Sequence, residues 1–236
     1  MQTFIDTATQ KIWQYEDDVI VTDTAGVYSF KTAAGVALNS PATLQPYTIP
    51  APTPTQLAAT AQAIQVSTLQ VAYNAAVQAN VSYTSKGNVT ETYQANPQSV
   101  QNLQNTILGF QAAGVVPTGF YWVAADNTQV PFTYADLQGL AAVMVASGWA
   151  NFQTLQTKKA QIVTLVNLPP RAASTPYTTG VQIVDTNGNV WTASAGTTGT
   201  TCTFPTSPAI GATKTDGSVT WTFAGSQVAL IEGVTW

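Results

Sequence analysis

Glu16, Asp17 and Asp18 stand together near the start of the chain, with Asp23 close behind. Clustered carboxylate oxygens are ligands for a hard divalent cation. The cluster has neither the spacing nor the central glycine of an EF-hand, so a solvated turn between two strands is the stronger reading. Asp126 and Asp136 form a second acidic pair. A turn role and a helix-cap role account for both, and no carboxylate pair has a persuasive glycosidase context. The run GTTGTT from Gly196 lacks the lysine of a phosphate loop. Histidine is absent, and Cys202 is the only cysteine. Neither a Ser-His-Asp nor a Cys-His site can be assembled, and a structural zinc site and an internal disulfide are excluded with them. The expectation is a protein that is not an enzyme and carries no cofactor and no metal.

The surface that must surround these residues is unusual. Of 236 residues, 45% are hydrophobic but only 8% are charged, and none between Lys31 and Lys86 is charged. A typical soluble protein has roughly 25% charged residues. Thr, Gln, Ala, Asn and Ser replace the charges, which weakens repulsion between copies and suits a protein packed in an assembly. A free protein with a neutral surface is the alternative. Net charge is −4 and the one basic pair is Lys158-Lys159, so nucleic acid is a poor partner. No apolar run approaches the roughly 20 residues of a membrane span. The opening residues lack a basic segment followed by an apolar one, so no signal peptide is expected and synthesis in a cytoplasm fits.

The first 50 residues read as short strands: TFIDTATQKIW, DVIVTD and GVYSFKT. PATLQPYTIPAPTPTQ then reads as an extended proline-rich linker, with Pro54 placed to start a helix behind Thr53. Residues 55–79 carry neither Gly nor Pro and predict a long helix with Val66, Leu69, Tyr73 and Val77 on one stripe. Leu57 and Ile64 extend its apolar character to another side, so a second cover is expected, from its own domain or from a neighbouring subunit. Residues 81–110 and 119–149 then each read as strand, polar turn, strand, helix. Asn96 with Pro97 starts the first helix, and Thr133 with Asp136 starts the second in a capping-box arrangement. A further helix is expected from Ala150 to about Leu165, capped by Asn151. The repeated pattern predicts an internal duplication whose two halves pack together and against the 55–79 helix.

On Gln94, Asn96, Ser99, Leu103, Trp122, Asp126, Asn127, Val130, Thr133, Leu137 and Lys158-Lys159, the chain resembles a domain family of tailed-bacteriophage tail-fibre and tail-fibre-assembly proteins. The opening FIDTATQKIWQYEDDV and the words LQPYTIPAPT are similar to the starts of such proteins. The resemblance covers about the first 165 residues plus the tail, and none of its positions is a catalytic signature. It implies that VALIEGVTW closes the domain as a strand and that the stretch from Pro169 to Gly225 interrupts the expected order. That stretch is read as an insertion with Pro- and Gly-containing borders.

The insertion alternates with period two in VQIVD, NVWTAS, TCTF and SVTWTF, a layout for four antiparallel strands. Trp191, Trp221, Val181, Ile183, Val219 and Phe223 are too many to bury on one face of so small a unit. The stretch is similar to small β modules of phage tail and surface-targeting proteins, which resemble adhesins or carbohydrate-binding elements. Under that resemblance Trp191, Trp221 and Tyr177 would stack on pyranose faces, with Asp185, Asn187 and Asp216 bonding the hydroxyls. The competing reading, and the stronger, makes the two tryptophans the core of the module.

The expected fold class is α+β: a duplicated β-hairpin-plus-helix domain with a long N-terminal helix, plus a small antiparallel all-β module. The expected domains are a docking segment at 1–50, the hairpin–helix domain at 51–168, the inserted module at 169–226 and a closing strand at 227–236. The leading expectation for function is a virion protein of the phage tail fibre or baseplate, made in the host cytoplasm. It would dock on tail-fibre or baseplate proteins and display a module for bacterial surface glycan and host attachment. A tail-fibre assembly chaperone and a stand-alone carbohydrate-binding protein are the alternatives. Self-association into a homo-oligomer is left open, and neither nucleic acid nor membrane insertion is expected.

Overall fold

Residues 1–236 are described by a computed structural model. The fold is α+β, with four helices and several small antiparallel sheets. Two units, Met1–Thr53 and Pro54–Trp236, each hold together by their own contacts.

In the first unit, β1 (Gln2–Asp6) and β2 (Ile12–Tyr15) form a hairpin, as do β3 (Ile20–Thr24) and β4 (Val27–Lys31). A fifth strand, β5 (Leu44–Pro46), pairs with the free edge of β1 to give the order β2-β1-β5. The proline-rich stretch is therefore not linker throughout. Leu44 is fully buried with Phe4 and Phe30, and Pro46 ends an edge strand, where a missing N–H is tolerated. The core is aromatic: the Phe4 and Phe30 rings meet edge to face at 4.8 Å, and Tyr15 stacks on Phe30 at 4.2 Å. TFIDTATQKIW spans the β1–β2 hairpin. The Asp6 carboxylate accepts from Ala8 N at 3.0 Å, from Thr9 Oγ1 at 2.6 Å and from Thr43 Oγ1, and so organises the turn of that hairpin.

The second unit begins with α1 (Pro54–Ala76), then β6 (Val81–Thr84), β7 (Thr90–Tyr93) and α2 (Pro97–Phe110). Next come β8 (Tyr121–Val123), β9 (Gln129–Pro131) and α3 (Tyr134–Val166). Asn96 caps α2 by accepting from Ser99 N at 2.9 Å. Thr133 and Asp136 form a reciprocal capping box on α3, which satisfies orphan donors of its first turn. Asp136 also accepts from Lys86 N at 2.7 Å and Tyr83 Oη at 3.2 Å, tying the β6–β7 turn to the start of α3. Val81, Tyr93, Leu103, Val130, Phe132, Leu137 and Leu140 form the core beneath both hairpins.

The two helices expected between residues 134 and 165 are one helix of 33 residues. An interior glycine such as Gly148 costs a helix only about 1 kcal/mol. Packing on either side outweighs that cost, because Leu137 and Leu140 lie in the hairpin core while Leu155 and Ile162 pack with Ala58, Ala61 and Leu69 of α1. Asn151 is therefore not a cap: its Nδ2 donates to Ala76 O at 3.2 Å, at the end of α1.

After α3 come β10 (Pro176–Tyr177), β11 (Gln182–Val184), β12 (Asn189–Ala193) and β13 (Gly196–Thr197). β14 (Thr213–Asp216) and β15 (Val219–Ser226) complete the module. β10 pairs with β13, and the main sheet has the order β11-β12-β15-β14. TCTF is not a strand. Phe204 instead turns inward against Trp191 and Trp221, with ring centroids 4.8 and 6.1 Å away, and Thr213–Asp216 supplies the fourth strand. The apolar set does share one cluster: Ile183, Trp191, Val219, Trp221 and Phe223 are buried together, with Val181 half-buried against them. The loop bearing Phe204 supplies the cover that the sheet alone lacks.

The tail is a helix, α4 (Gln227–Glu232), not the expected closing strand. It seats Ile231 among Ala61, Leu69, Leu155 and Ile162 on α1 and α3. Its nearest supports are helices, which offer no sheet edge to pair a strand's backbone, whereas Ser226 caps the first helical turn by accepting from Ala229 N at 3.2 Å. Gln227 Nε2 donates to Leu165 O at 2.6 Å and Val166 O at 3.3 Å. The chain thus leaves α3 for the module and returns from it at one point.

Candidate functional site

The module's two tryptophans are set by the same local device. Asp185 sits in the β11–β12 turn and Asp216 at the β14–β15 turn. Asp185 Oδ1 accepts from Asn187 N at 2.8 Å and Asn189 N at 2.9 Å, and its Oδ2 accepts from Trp191 Nε1 at 2.9 Å. Asp216 Oδ1 accepts from Gly199 N at 2.8 Å, and its Oδ2 from Trp221 Nε1 at 3.1 Å. Each turn aspartate thus takes the indole proton of the tryptophan on the strand that follows. The second turn has no room for a side chain at Gly217, whose φ is +64° and where a Cβ would lie 2.7 Å from Gly199 N.

Arg171 completes the second set. Its Nε and Nη2 reach the Asp216 carboxylate at 2.6 and 2.8 Å, and Nη2 also donates to Gly199 O at 2.5 Å. The Arg171 hydrogen bonds hold the Asp216 carboxyl below the usual carboxylate range, and the same bonds raise the guanidinium. Asp216 is fully enclosed.

The glycan platform read from the sequence is corrected here. Trp191 and Trp221 are both completely buried and Asp216 nearly so, so their faces and the carboxylate serve the core. Sheet, Phe204 and Tyr177 enclose the indoles, and Tyr177 meets Trp221 edge-on at 5.0 Å while its hydroxyl accepts from Ala172 N. Asp185 spends its oxygens on the turn and on Trp191. Asn187 alone among the six is exposed. Asp185 and Asn187 do line one open recess of 730 Å³ with Arg171, Cys202, Thr203 and Phe204. Burial pushes the Cys202 thiol up, away from the reactive thiolate. Arg171 and Phe204 were missed by sequence reasoning; the lone arginine of the module, in a chain nearly without charge, was the available signal.

The acidic cluster near the start is used locally. Asp17 pairs with the N-terminal ammonium, and Asp23 accepts from Gly26 N at 2.8 Å in the β3–β4 turn. No group of three or more acidic or thiol side chains is arranged to hold a metal. Asp126 accepts from Thr128 N and Oγ1, both at 2.9 Å, and so shapes the β8–β9 turn.

The helices offer surface of another kind. Leu57, Ile64 and Val71 recur every seven residues along α1 and stay exposed, on a helix with no charged residue. On α3, Val145, Trp149, Phe152 and Val163 are exposed as well, and the Trp149 and Phe152 rings stack at 5.7 Å. No helix is long and apolar enough to cross a membrane.

A family model described as a domain of unknown function, DUF4376, matches residues 60–179, half of the chain, and the chain belongs to that family. Neither the curated proteins nor the solved structures include a match.

Proposed function

We propose that this member of the DUF4376 family is a tail-associated virion protein of a tailed phage, docking through its helices onto tail-fibre or baseplate proteins. The observation that carries the reading is the exposed apolar surface of the helices: Leu57, Ile64 and Val71 on the uncharged α1, and the stacked Trp149–Phe152 pair on α3. Lasting contact between proteins favours aromatic and aliphatic anchors and few charges at its centre. The resemblance of the hairpin and helix motifs to tail-fibre proteins supports the same reading. In it, the β6–β7–α2 and β8–β9–α3 segments are duplicated halves of a docking scaffold, and residues 169–226 are a guest module. The meeting of entry and exit at Gln227 suits an insertion.

The test is mass spectrometry of purified particles together with pull-down of tail-fibre and baseplate proteins. The protein should be found in particles, and Ile64→Gln with Trp149→Gln should abolish capture while leaving the melting temperature unchanged. Its absence from particles ends the virion reading. A second reading, a tail-fibre assembly chaperone, draws on the same open aromatic pair, since a transient holder keeps its apolar surface free. Co-expression separates the two: a chaperone raises the soluble yield of the fibre, and a virion component does not.

A further inference from the structure

A second recess lies where the end of β7, the first turns of α2 and β8 come together, outside the β module. It is an open groove of 370 Å³ that runs along residues 120–124, and its polar lining comes from Gln94, Ser99, Asn102, Tyr121 and Asn127. That volume lies within the roughly 300–1,000 Å³ of small-ligand sites. Four stretches of chain converge on it. Gln94 follows β7, Ser99 and Asn102 sit three apart on α2, Tyr121 and Trp122 lie on β8, and Asn127 is in the β8–β9 turn with φ of +71°. Gln94, Ser99, Trp122 and Asn127 also belong to the motif singled out in the sequence; Trp122 is half-buried against the hairpin core and Asn127 takes the positive φ of its turn, which leaves Gln94 and Ser99 without such a role. Gln94, Asn102 and Asn127 are exposed. Gln94 Oε1 is engaged only by long bonds, 3.4 Å each, from Asn96 Nδ2 and Ser99 Oγ.

The lining selects a ligand class. No Asp, Glu, Lys or Arg borders the recess, so a charged ligand would lose water and gain no counter-charge. A wholly apolar ligand would strip water from three side-chain amides and replace none of their bonds. The amides and the serine offer both donors and acceptors, and the rings add apolar surface with a polar edge. A molecule with one apolar face and a rim of hydroxyls satisfies both. We propose that this recess binds a neutral saccharide, one or two pyranose rings in size, with the exposed Tyr121 ring against the sugar and Gln94, Asn102 and Asn127 bonding its hydroxyls. The proposal goes beyond the tail-protein reading and does not depend on it. The competing occupant is an extended peptide laid along β8.

The full chain is titrated with glucose, galactose, N-acetylglucosamine and their disaccharides, by saturation-transfer NMR and calorimetry, alongside an array of neutral glycans. At least one saccharide should bind. Tyr121→Ala should weaken it tenfold or more, and so should Asn127→Gly, which keeps the positive φ accessible. Both variants should melt at the wild-type temperature, and Asn187→Ala in the module should bind normally. The proposal is overturned if no saccharide binds, if both recess variants bind as wild type, or if Asn187→Ala alone abolishes binding. It is equally overturned if extended neutral peptides, and no saccharide, shift the β8 amide resonances.

Discussion

Replacing Asp216 by alanine removes the centre of the module's polar core. The carboxylate accepts from Arg171 at 2.6 and 2.8 Å, from Gly199 N at 2.8 Å and from Trp221 Nε1 at 3.1 Å. Its side chain is completely enclosed, and that of Arg171 is 13% exposed. Cutting such a pair from one side leaves a largely buried guanidinium uncompensated, at about 3–5 kcal/mol. The indole N–H loses its acceptor too, which alone costs about 1–3 kcal/mol. These groups share one network, so the two costs do not add in full, and a total of about 4 kcal/mol is expected from the buried-pair range. In a unit of this size each kcal/mol lowers the melting temperature by about 2–4 °C, giving a fall of about 8–16 °C. Thermal and urea unfolding followed by near-ultraviolet circular dichroism reads this directly, because Trp191 and Trp221 dominate the buried indoles. Arg171→Met combined with Asp216→Leu should recover part of the loss, since apolar groups of similar volume replace a buried pair at little cost, while Trp221 Nε1 and Gly199 N stay without their acceptor. The reasoning is refuted if Asp216→Ala melts within about 2 °C of wild type, well below the fall derived from the size scaling, or if the double variant is no better than the single one.

Gly139→Ala should destabilise the hairpin core by about 1–3 kcal/mol through overpacking. A Cβ there would lie 2.8 Å from Tyr83 Cζ and closer still to its hydroxyl, and the same change in a Tyr83→Leu background should cost nothing in a melting experiment. Gln227→Ala should cost about 1–3 kcal/mol by leaving the Leu165 and Val166 carbonyls short of a donor, and amide exchange should quicken first in α4. The Asp6 carboxyl is lowered to about 2, chiefly by its bonds from Thr43 and Thr9. Its folded pKa lies below the unfolded 3.8, so its contribution to the Met1–Thr53 unit is present above that value and is lost as pH falls towards 2. An acid titration should show that loss, and Asp6→Asn should flatten it.

Local chemistry was legible in the residues themselves. The Asn96 and Thr133–Asp136 caps, the turns at residues 85–88 and 125–128, and the paired strands around DTNGN and TDG depend on neighbours within a few positions. The want of histidine likewise excludes histidine-dependent catalysis from the sequence alone. Continuity of α3 past Gly148 was not legible, because two cores distant in sequence hold it straight through. The helical tail depended on what it lands on, a pair of helices without a sheet edge. The fate of Trp191 and Trp221 rested on whether a loop would close over them, and Phe204, from a segment that reads as a strand, provides that closure. Likewise no spacing in the chain could bring Gln94, Asn102, Tyr121 and Asn127 to one recess. Residue types and short-range turns were therefore decided by covalent neighbours, while burial and convergence were decided by packing between segments that the linear order keeps apart.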